Sequence, residues 1–428
     1  MRFVSKLNLL RALLPPVQLL LAFLALVAAL WLRPILQRLP APALPKLELK
    51  SLNGTQHAND TCKIIHHPAG SLKYCEDLLH WKEAGVAIAS CDQGRPEWNT
   101  VLGPLENPIH EANWKRAEDP NQHSHDRLYE LELTGFPVDK DFHPLGLELH
   151  QLSGNTARLF LVNHRRDRSV IEVFKLGYNS PQSSSTDSRR KLSLTWERTL
   201  AHPLISTPNA IVALDSNSFL VTNDHFFNRR AHPILHVLET WLTLGGGSVV
   251  EVRFADQLPK ANMDKTSDSD AGAWENVEAY GIYHQFQPIG SNQRLVFNPI
   301  GSRSLSFAPD NIHFDGPQRL IAAGHPHGLT LLKFSRNLEH GVPAGSSVAV
   351  VLHSEEPDEP LDPHQAQVHN ILVDDGHYFA SSTSAIIVPQ SDFDDNHQSK
   401  QSSSASENKL IVTGLYQTGL LECNLSSV

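Results

Sequence analysis

The sequence predicts an all-β fold, and two observations lead to this fold class. From Lys50 onward, short apolar runs alternate with turn-forming residues, as in 157–164, 169–178, 248–254 and 409–416. Long segments with helical periodicity are scarce in the same region. Short strands at this spacing are typical of a β-sandwich, a barrel or a propeller. A closed ring of sheets is compatible with the length of 428 residues, which would otherwise indicate several ordinary domains.

Individual runs predict individual elements. Residues 210–224 predict a β-hairpin that turns at Asp215, Ser216 and Asn217. Residues 232–244 are the best candidate for an amphipathic helix or surface segment. Further strands are predicted at 318–325, 329–335 and 348–354.

The N-terminal region predicts a membrane anchor. Residues 9–32 form an almost wholly apolar run of nearly membrane-spanning length. Arg2, Lys6 and Arg11 precede or begin this run, and positive charge on that side keeps the N-terminus cytoplasmic. The alternative is a cleaved signal peptide followed by secretion, but no clear small-x-small cleavage pattern precedes the Pro-rich stretch.

The domain organisation follows from this anchor. We expect a single-pass membrane protein whose main domain lies in the lumen or outside the cell. The predicted parts are a cytoplasmic tip with a transmembrane anchor helix at 1–33, a Pro-rich stalk at 34–60 and a folded domain at 61–428. Three polar stretches inside that domain are predicted to be disordered insertions, at 179–191, 260–274 and 389–409.

Charge and cysteine content restrict the partners and the compartment. With 46 acidic and 36 basic residues the formal net charge is -10, which offers no basic field for nucleic acid. Four cysteines allow three disulfide pairings in an oxidising compartment. Cys62 and Cys423 lie at opposite ends of the domain and suggest a clasp between them, whereas the pairing of the other two stays open. Sequons at Asn53, Asn59 and Asn424 are glycosylation acceptors if the chain enters the secretory pathway.

Several short motifs occur together in a consistent order. They are YCEDLL at 74–79, FHPLGL at 142–147, LVNH at 161–164, PNAIVAL at 208–214, VTNDHFF at 221–227, APDNIHFD at 308–315, GHPHG at 324–328 and LYQTGLLEC at 415–423. In order and approximate spacing the chain resembles the paraoxonase/arylesterase family. The resemblance implies a six-bladed β-propeller, a catalytic calcium ion, and hydrolysis of lactones and aryl esters.

The resemblance also implies a set of calcium ligands. Glu76 would reach the catalytic calcium and Asp77 a second, structural one, because adjacent residues of a strand point to opposite sides. The other ligands implied are Asn209, Asn262, Asp310 and Asn311, whose carboxylate and amide oxygens suit calcium. Met263 replaces the glycine that the family carries after Asn262. Ala210 replaces the family's aspartate at the second site, so one calcium is expected and the second is left open.

Two histidines are implied as the catalytic pair. His143 in FHPLG would activate water, and His164 in VNH would support its basicity, since histidine titrates near neutral pH. His325 is expected to line the pocket or support strands. No Gly-x-Ser-x-Gly nucleophile motif occurs, so a serine hydrolase is not supported. Two alternatives to the hydrolase are a non-catalytic propeller scaffold and a propeller enzyme similar to strictosidine synthase.

Overall fold

A computed structural model describes most of the chain beyond residue 46. The described residues are Phe23, 47–51, 54–56, 61–67, 70–100, 128, 130–179, 191–242, 246–255, 277–282, 303–316, 319–352, 366–389 and 408–425. The chain divides into two units, 1–43 and 44–428, and every strand described belongs to the second.

Strands dominate this second unit. In chain order they are β1 (Glu48–Ser51), β2 (Gly54–Gln56), β3 (Cys62–Ile65), β4 (Cys75–Trp81), β5 (Val86–Cys91), β6 (Leu133–Thr134), β7 (Pro144–Ser153), β8 (Thr156–His164), β9 (Ser169–Asn179), β10 (Lys191–Leu200), β11 (Pro208–Asp215), β12 (Ser218–Asn223), β13 (Ser248–Phe254), β14 (Val277–Ile282), β15 (Ala308–Phe314), β16 (Arg319–His325), β17 (Ser346–Leu352), β18 (Gln367–Asp374), β19 (Ser382–Pro389), β20 (Asn408–Gly414) and β21 (Leu420–Leu425). Two short helices accompany them in the described part, α1 (Pro233–Leu242) and α2 (Gly328–Ser335).

The strands pair into five sheets with a propeller-like arrangement. The spatial orders are β6-β10-β9-β8-β7, β11-β12-β13-β14, β15-β16-β17-β18-β1-β2, β19-β20-β21-β3 and the pair β4-β5. The first strands of neighbouring sheets contact one another in the order β11, β7, β4, β19, β15. These five first strands, here called the inner strands, therefore lie side by side, as they do around a propeller channel. The all-β prediction is confirmed. That the propeller has six blades stays a prediction.

Chain ends of the folded unit meet in one sheet. β3 pairs with β21, and Cys62 lies directly opposite Cys423 in the register. The two cysteines form the disulfide suggested by their positions, with a sequence separation of 361. A second disulfide joins Cys75 to Cys91, which are register partners in β4 and β5. Every cysteine of the chain is thus paired.

Local sequence explains the predicted hairpin. β11 and β12 pair antiparallel, and Asp215 closes the turn between them. Its carboxylate accepts hydrogen bonds from the backbone N–H of Asn217 at 2.7 Å and from the hydroxyl of Ser218 at 2.6 Å. Aspartate favours such turns because its short side chain reaches the backbone two residues later. The helix predicted within 232–244 is also present, as α1.

Two predictions of local structure were wrong. Residues 329–335 form helix α2, not a strand. The side chain of His327 caps the helix by accepting from the N–H of Thr330, and the buried residues Leu331, Phe334 and Ser335 follow helical spacing. A short apolar run does not by itself distinguish a strand from a helical segment.

The second error concerns the stalk predicted at 34–60. Its later part contains β1 and β2, and β1 pairs with β18. Leu49 is fully buried there and Leu47 packs against the same cluster, because the alternation Leu-Glu-Leu-Lys turns both leucines toward the core. The folded unit therefore begins earlier than residue 61.

Other predicted segments fall outside the described residues. These are the anchor at 1–33 apart from Phe23, residues 260–274, and the central parts of the insertions at 179–191 and 389–409. In the described part of the chain, no helix is long and apolar enough to cross a membrane.

Candidate active site

The inner strands share one irregularity at their beginnings. Each has a shift of register there, between Cys75 and Asp77, Pro144 and Leu147, Pro208 and Ile211, Pro309 and Ile312, and Ser382 and Ser384. Irregularities of this kind are common beside active sites, because an unpaired residue can turn its side chain away from the sheet. The residues inside the shifts include four of the predicted calcium ligands, namely Glu76, Asn209, Asp310 and Asn311.

Glu76 and Asn311 meet across the interior. The carboxylate oxygen Oε1 of Glu76 accepts a hydrogen bond from Nδ2 of Asn311 at 2.9 Å. Only 2% of Glu76 and 3% of Asn311 is exposed. The second carboxylate oxygen of Glu76, Oε2, is buried and has no hydrogen-bond partner. A buried carboxylate oxygen is normally satisfied, so this atom marks a place where a partner is needed.

Electrostatics at Glu76 favour a cation. Burial, followed by the negative charges of Asp77 and Asp310, raises the pKa of Glu76 well above its usual value. Arg95 and the hydrogen bond from Asn311 act in the opposite direction. Asp310 is itself paired, since its Oδ2 lies 3.0 Å from Nε2 of the buried His325. A bound cation would stabilise the ionised carboxylates that burial disfavours.

The residues around Glu76 fit calcium by their chemistry. They offer carboxylate and amide oxygens, which calcium prefers to nitrogen or sulfur. Asn209 is held close to the neighbouring inner strand, because a Cβ on Gly146 would lie 2.0 Å from its carbonyl oxygen. Asn262 lies outside the described residues. Among the residues described, no three His, Cys, Asp or Glu side chains are grouped as metal ligands, so a site here depends on the amides.

Asp77, by contrast, does not fit a second calcium. Its Oδ1 accepts from the N–H of Leu78 at 2.8 Å, from the hydroxyl of Ser384 at 2.8 Å and from Nε2 of His313 at 3.0 Å. Its Oδ2 accepts from the N–H of Leu147 at 3.1 Å. Protein donors thus engage both carboxylate oxygens.

His313 lies beside Asp77, and this contact favours the protonated form of its ring. Burial opposes the protonated form, but the charge of Asp77 and the hydrogen bond to it outweigh burial, so the pKa of His313 is raised. Ala210 contributes only a methyl group, and its N–H is bonded to Oγ1 of Thr222 at 3.0 Å. The Ala210 substitution and the His313 contact therefore both disfavour a metal ion at Asp77.

His143 lies immediately before β7 and is held on several sides. Its backbone N–H donates to Oδ1 of Asn163 at 2.8 Å. Its ring Nδ1 lies 3.1 Å from Oδ2 of Asp92, and both side chains are nearly buried. The ring of Trp98 packs beside it, with 6.1 Å between ring centroids. Asp92 was not predicted as a site residue.

His164 has a different environment. Its Nδ1 lies 2.7 Å from Oγ of Ser169. Burial, followed by the positive charges of Arg230 and Arg95, lowers the pKa of His164 well below its usual value. The Nδ1 atom of His143 contacts Asp92, and the Nδ1 atom of His164 contacts Ser169. The two rings therefore do not contact each other through their Nδ1 atoms. His164 is thus a neutral, buried ring beside the site.

Comparisons with known proteins find similarity to esterases and lactonases. The Arylesterase family model matches residues 116–261. Serum paraoxonase/arylesterase 1 of Mus musculus is 34% identical over 227 residues, and serum paraoxonase/arylesterase 2 of Canis lupus familiaris is 27% identical over 219 residues. The resemblance to the paraoxonase/arylesterase family is therefore confirmed over the matched regions. Serum paraoxonase/lactonase 3 of Oryctolagus cuniculus is 26% identical over 61% of this chain and 68% of its own length.

The matched regions are partial. The alignments with the mouse and dog proteins cover 51% and 49% of this chain. They cover 58% and 57% of those relatives, so the chain spans somewhat more than half the length of these members of the paraoxonase/arylesterase family.

Predicted glycosylation sites can be placed in one case. Asn424 is an exposed residue of β21, with its neighbours Cys423 and Leu425 buried, as alternation along a strand requires. Asn53 and Asn59 lie outside the described residues.

Proposed function

We propose that this protein, which resembles the paraoxonase/arylesterase family, is a calcium-dependent hydrolase of lactones and aryl esters. The observation that carries the proposal is the buried Glu76 carboxylate, whose Oε2 has no partner, while Asn311 donates to its Oε1 and Asp310 adds negative charge nearby. Relatives named paraoxonase, arylesterase and lactonase support the ester and lactone substrate class.

The predicted ligand set would hold one calcium ion. Glu76, Asn209, Asp310 and Asn311 come from three inner strands, and Asn262 would complete the set. When bound, calcium supplies polarisation of the ester or lactone carbonyl and stabilisation of the negative charge that develops on its oxygen. Asp77 takes no part in this set, because protein donors engage both of its oxygens.

In this mechanism His143 removes a proton from the attacking water. Its Nδ1 faces Asp92, which leaves Nε2 as the nitrogen that can accept the proton. His164 stays neutral and contributes shape and packing, because burial and then the charges of Arg230 and Arg95 disfavour its protonation. Trp98 donates its Nε1–H to the carbonyl oxygen of His164 at 2.8 Å and so joins both histidine segments.

The cellular location is part of the same proposal. The two disulfides are typical of an extracellular or secreted fold. We place the propeller in the lumen or outside the cell, with residues 1–33 as a single membrane anchor and glycans on Asn53, Asn59 and Asn424. Digestion with a glycosidase should lower the apparent mass of the full chain, and extraction at alkaline pH should leave it in the membrane fraction.

The first test uses the full chain purified in detergent. Phenyl acetate and a panel of aliphatic lactones are offered with calcium, after chelation and after calcium is restored. Turnover that disappears with the chelator and returns with calcium is the expected result. Calcium titration should saturate at one ion per chain, because Asp77 and Ala210 do not form a second site.

Two results would overturn the proposal. Folded, calcium-saturated protein without turnover of any substrate would favour the scaffold alternative. Full turnover in excess chelator would remove the metal from the mechanism.

A further inference from the structure

A short turn after β5 brings a carboxylate to His143. The carboxylate of Asp92 uses one oxygen for the turn and the other for the imidazole. Oδ1 accepts from the N–H of Gly94 at 2.9 Å, while Oδ2 lies 3.1 Å from Nδ1 of His143. Asp92 is 3% exposed, so this contact is removed from solvent. The carboxylate cannot rotate away from His143 without breaking its hydrogen bond to the N–H of Gly94.

Neighbouring groups hold the same arrangement. A Cβ on Gly94 would lie 3.3 Å from Oδ1 of Asp92 and 3.6 Å from Cε1 of His143, so the glycine lets the turn close over the ring. Arg95, the next residue, donates from Nη2 to the carbonyl oxygen of Pro144 at 2.8 Å. That bond ties the turn to the residue that follows His143. The Cys75–Cys91 disulfide anchors the residue before Asp92.

The geometry points to Asp92 as the positioning residue of His143, in the role that His164 was expected to fill. Its carboxylate binds the Nδ1–H of the ring and so keeps the lone pair on Nε2, the nitrogen that meets water. The inference rests on the proposed hydrolase function, since it assigns a role within that reaction. Asp92 acts through His143 and does not contact substrate.

Replacement by asparagine tests orientation without changing shape. In Asp92→Asn, the amide oxygen can keep the Gly94 bond, and the amide N–H then faces Nδ1 of His143. The ring can accept that bond only with its proton on Nε2, which is the wrong tautomer for a base. In serine proteases the corresponding change of a carboxylate to an amide lowers kcat by about 10⁴ for this reason. We expect kcat here to fall roughly 10²- to 10⁴-fold, with KM changed by less than about threefold.

Asp141 provides a matched control. Its carboxylate lies two residues before His143 and binds Nε of Arg166 at 3.0 Å, not the imidazole. Asp141→Asn removes the same charge nearby without altering the tautomer. Turnover of Asp141→Asn should stay within about threefold of the parent protein, as expected for an exposed ion pair.

The tautomer itself is observed by ¹⁵N–¹H spectra of protein with labelled histidines. The His143 signal is assigned by its loss in His143→Gln. The expected spectra show the proton on Nδ1 in the parent protein and on Nε2 in Asp92→Asn, with equal calcium affinity in both. The double variant Asp92→Asn with His143→Gln should be no slower than His143→Gln alone, because both act through one group.

The outcomes separate this inference from the hydrolase proposal. If the parent protein is inactive, the hydrolase proposal fails, and a proton that moves from Nδ1 in the parent to Nε2 in Asp92→Asn would still show that Asp92 orients the ring. If the parent is active and Asp92→Asn keeps more than about half of its kcat, Asp92 does not position the base. A parent proton on Nε2, or the same tautomer in both proteins, also overturns the inference.

Discussion

The two disulfides should differ in their effect on stability, because they close loops of very different length. Replacing Cys62 and Cys423 by serine opens a loop of 361 residues, whereas replacing Cys75 and Cys91 opens one of 16. In the chain-entropy description, a bridge restricts the unfolded state by about 6 kcal/mol for the longer loop and about 3 kcal/mol for the shorter one. The expected difference is therefore about 3 kcal/mol.

Urea unfolding of the two serine pairs measures this difference. Each pair exchanges two sulfur atoms for two hydroxyls, so local losses are similar and loop length is the main variable. The Cys62→Ser/Cys423→Ser protein should lose more free energy of unfolding than the Cys75→Ser/Cys91→Ser protein. Equal losses, or a larger loss for the shorter loop, would refute the reasoning and assign the stabilisation to local packing.

Three further substitutions have defined outcomes. Glu76→Gln keeps the shape but removes the charge, so calcium affinity measured by titration should fall at least about 100-fold, or roughly 3 kcal/mol; unchanged affinity would exclude Glu76 as a ligand. Glu172→Gln removes the charge of a fully buried carboxylate that lies 2.7 Å from Nη2 of Arg165. The free energy of unfolding, measured in urea, should fall by about 3–5 kcal/mol, while calcium affinity is retained. A fall under about 1 kcal/mol would contradict this. Gly146→Ala places a Cβ against the carbonyl oxygen of Asn209. The free energy of unfolding should fall by about 1–3 kcal/mol, and calcium binding should weaken. A variant as stable as the parent would show that the two strands can separate freely.

Much of the fold could be predicted from local patterns. The hairpin at Asp215 and helix α1 follow from turn chemistry and periodicity, which act over a few residues. The Cys62–Cys423 bridge was suggested by positions at the two ends of the domain. Helix α2 was missed because an apolar run of its length carries no period of its own, and its cap is a histidine.

Only part of the candidate site could be predicted from the sequence. Glu76 and Asn311 lie 235 residues apart, and only the joint order of motifs indicated that they belong together. Asp92 was missed because Asp-Gln-Gly after a cysteine reads as an ordinary turn, and its contact with His143 spans 51 residues. His313 was missed for a similar reason, since no local pattern shows that it faces Asp77.

Pairing of β3 with β21 has a consequence for how the chain folds. Other strands of the closing sheet are joined by hairpins, but β3 precedes its partner by most of the domain. At synthesis rates of roughly 5–20 residues per second, β21 is synthesised on the order of 20 to 70 s after β3. During that time β3 has an unpaired edge, which can pair with strands of other chains and so lead to strand exchange or aggregation. A chain that stops before Leu420 never removes this edge, so late truncations should be cleared as misfolded protein although nearly every blade has been made.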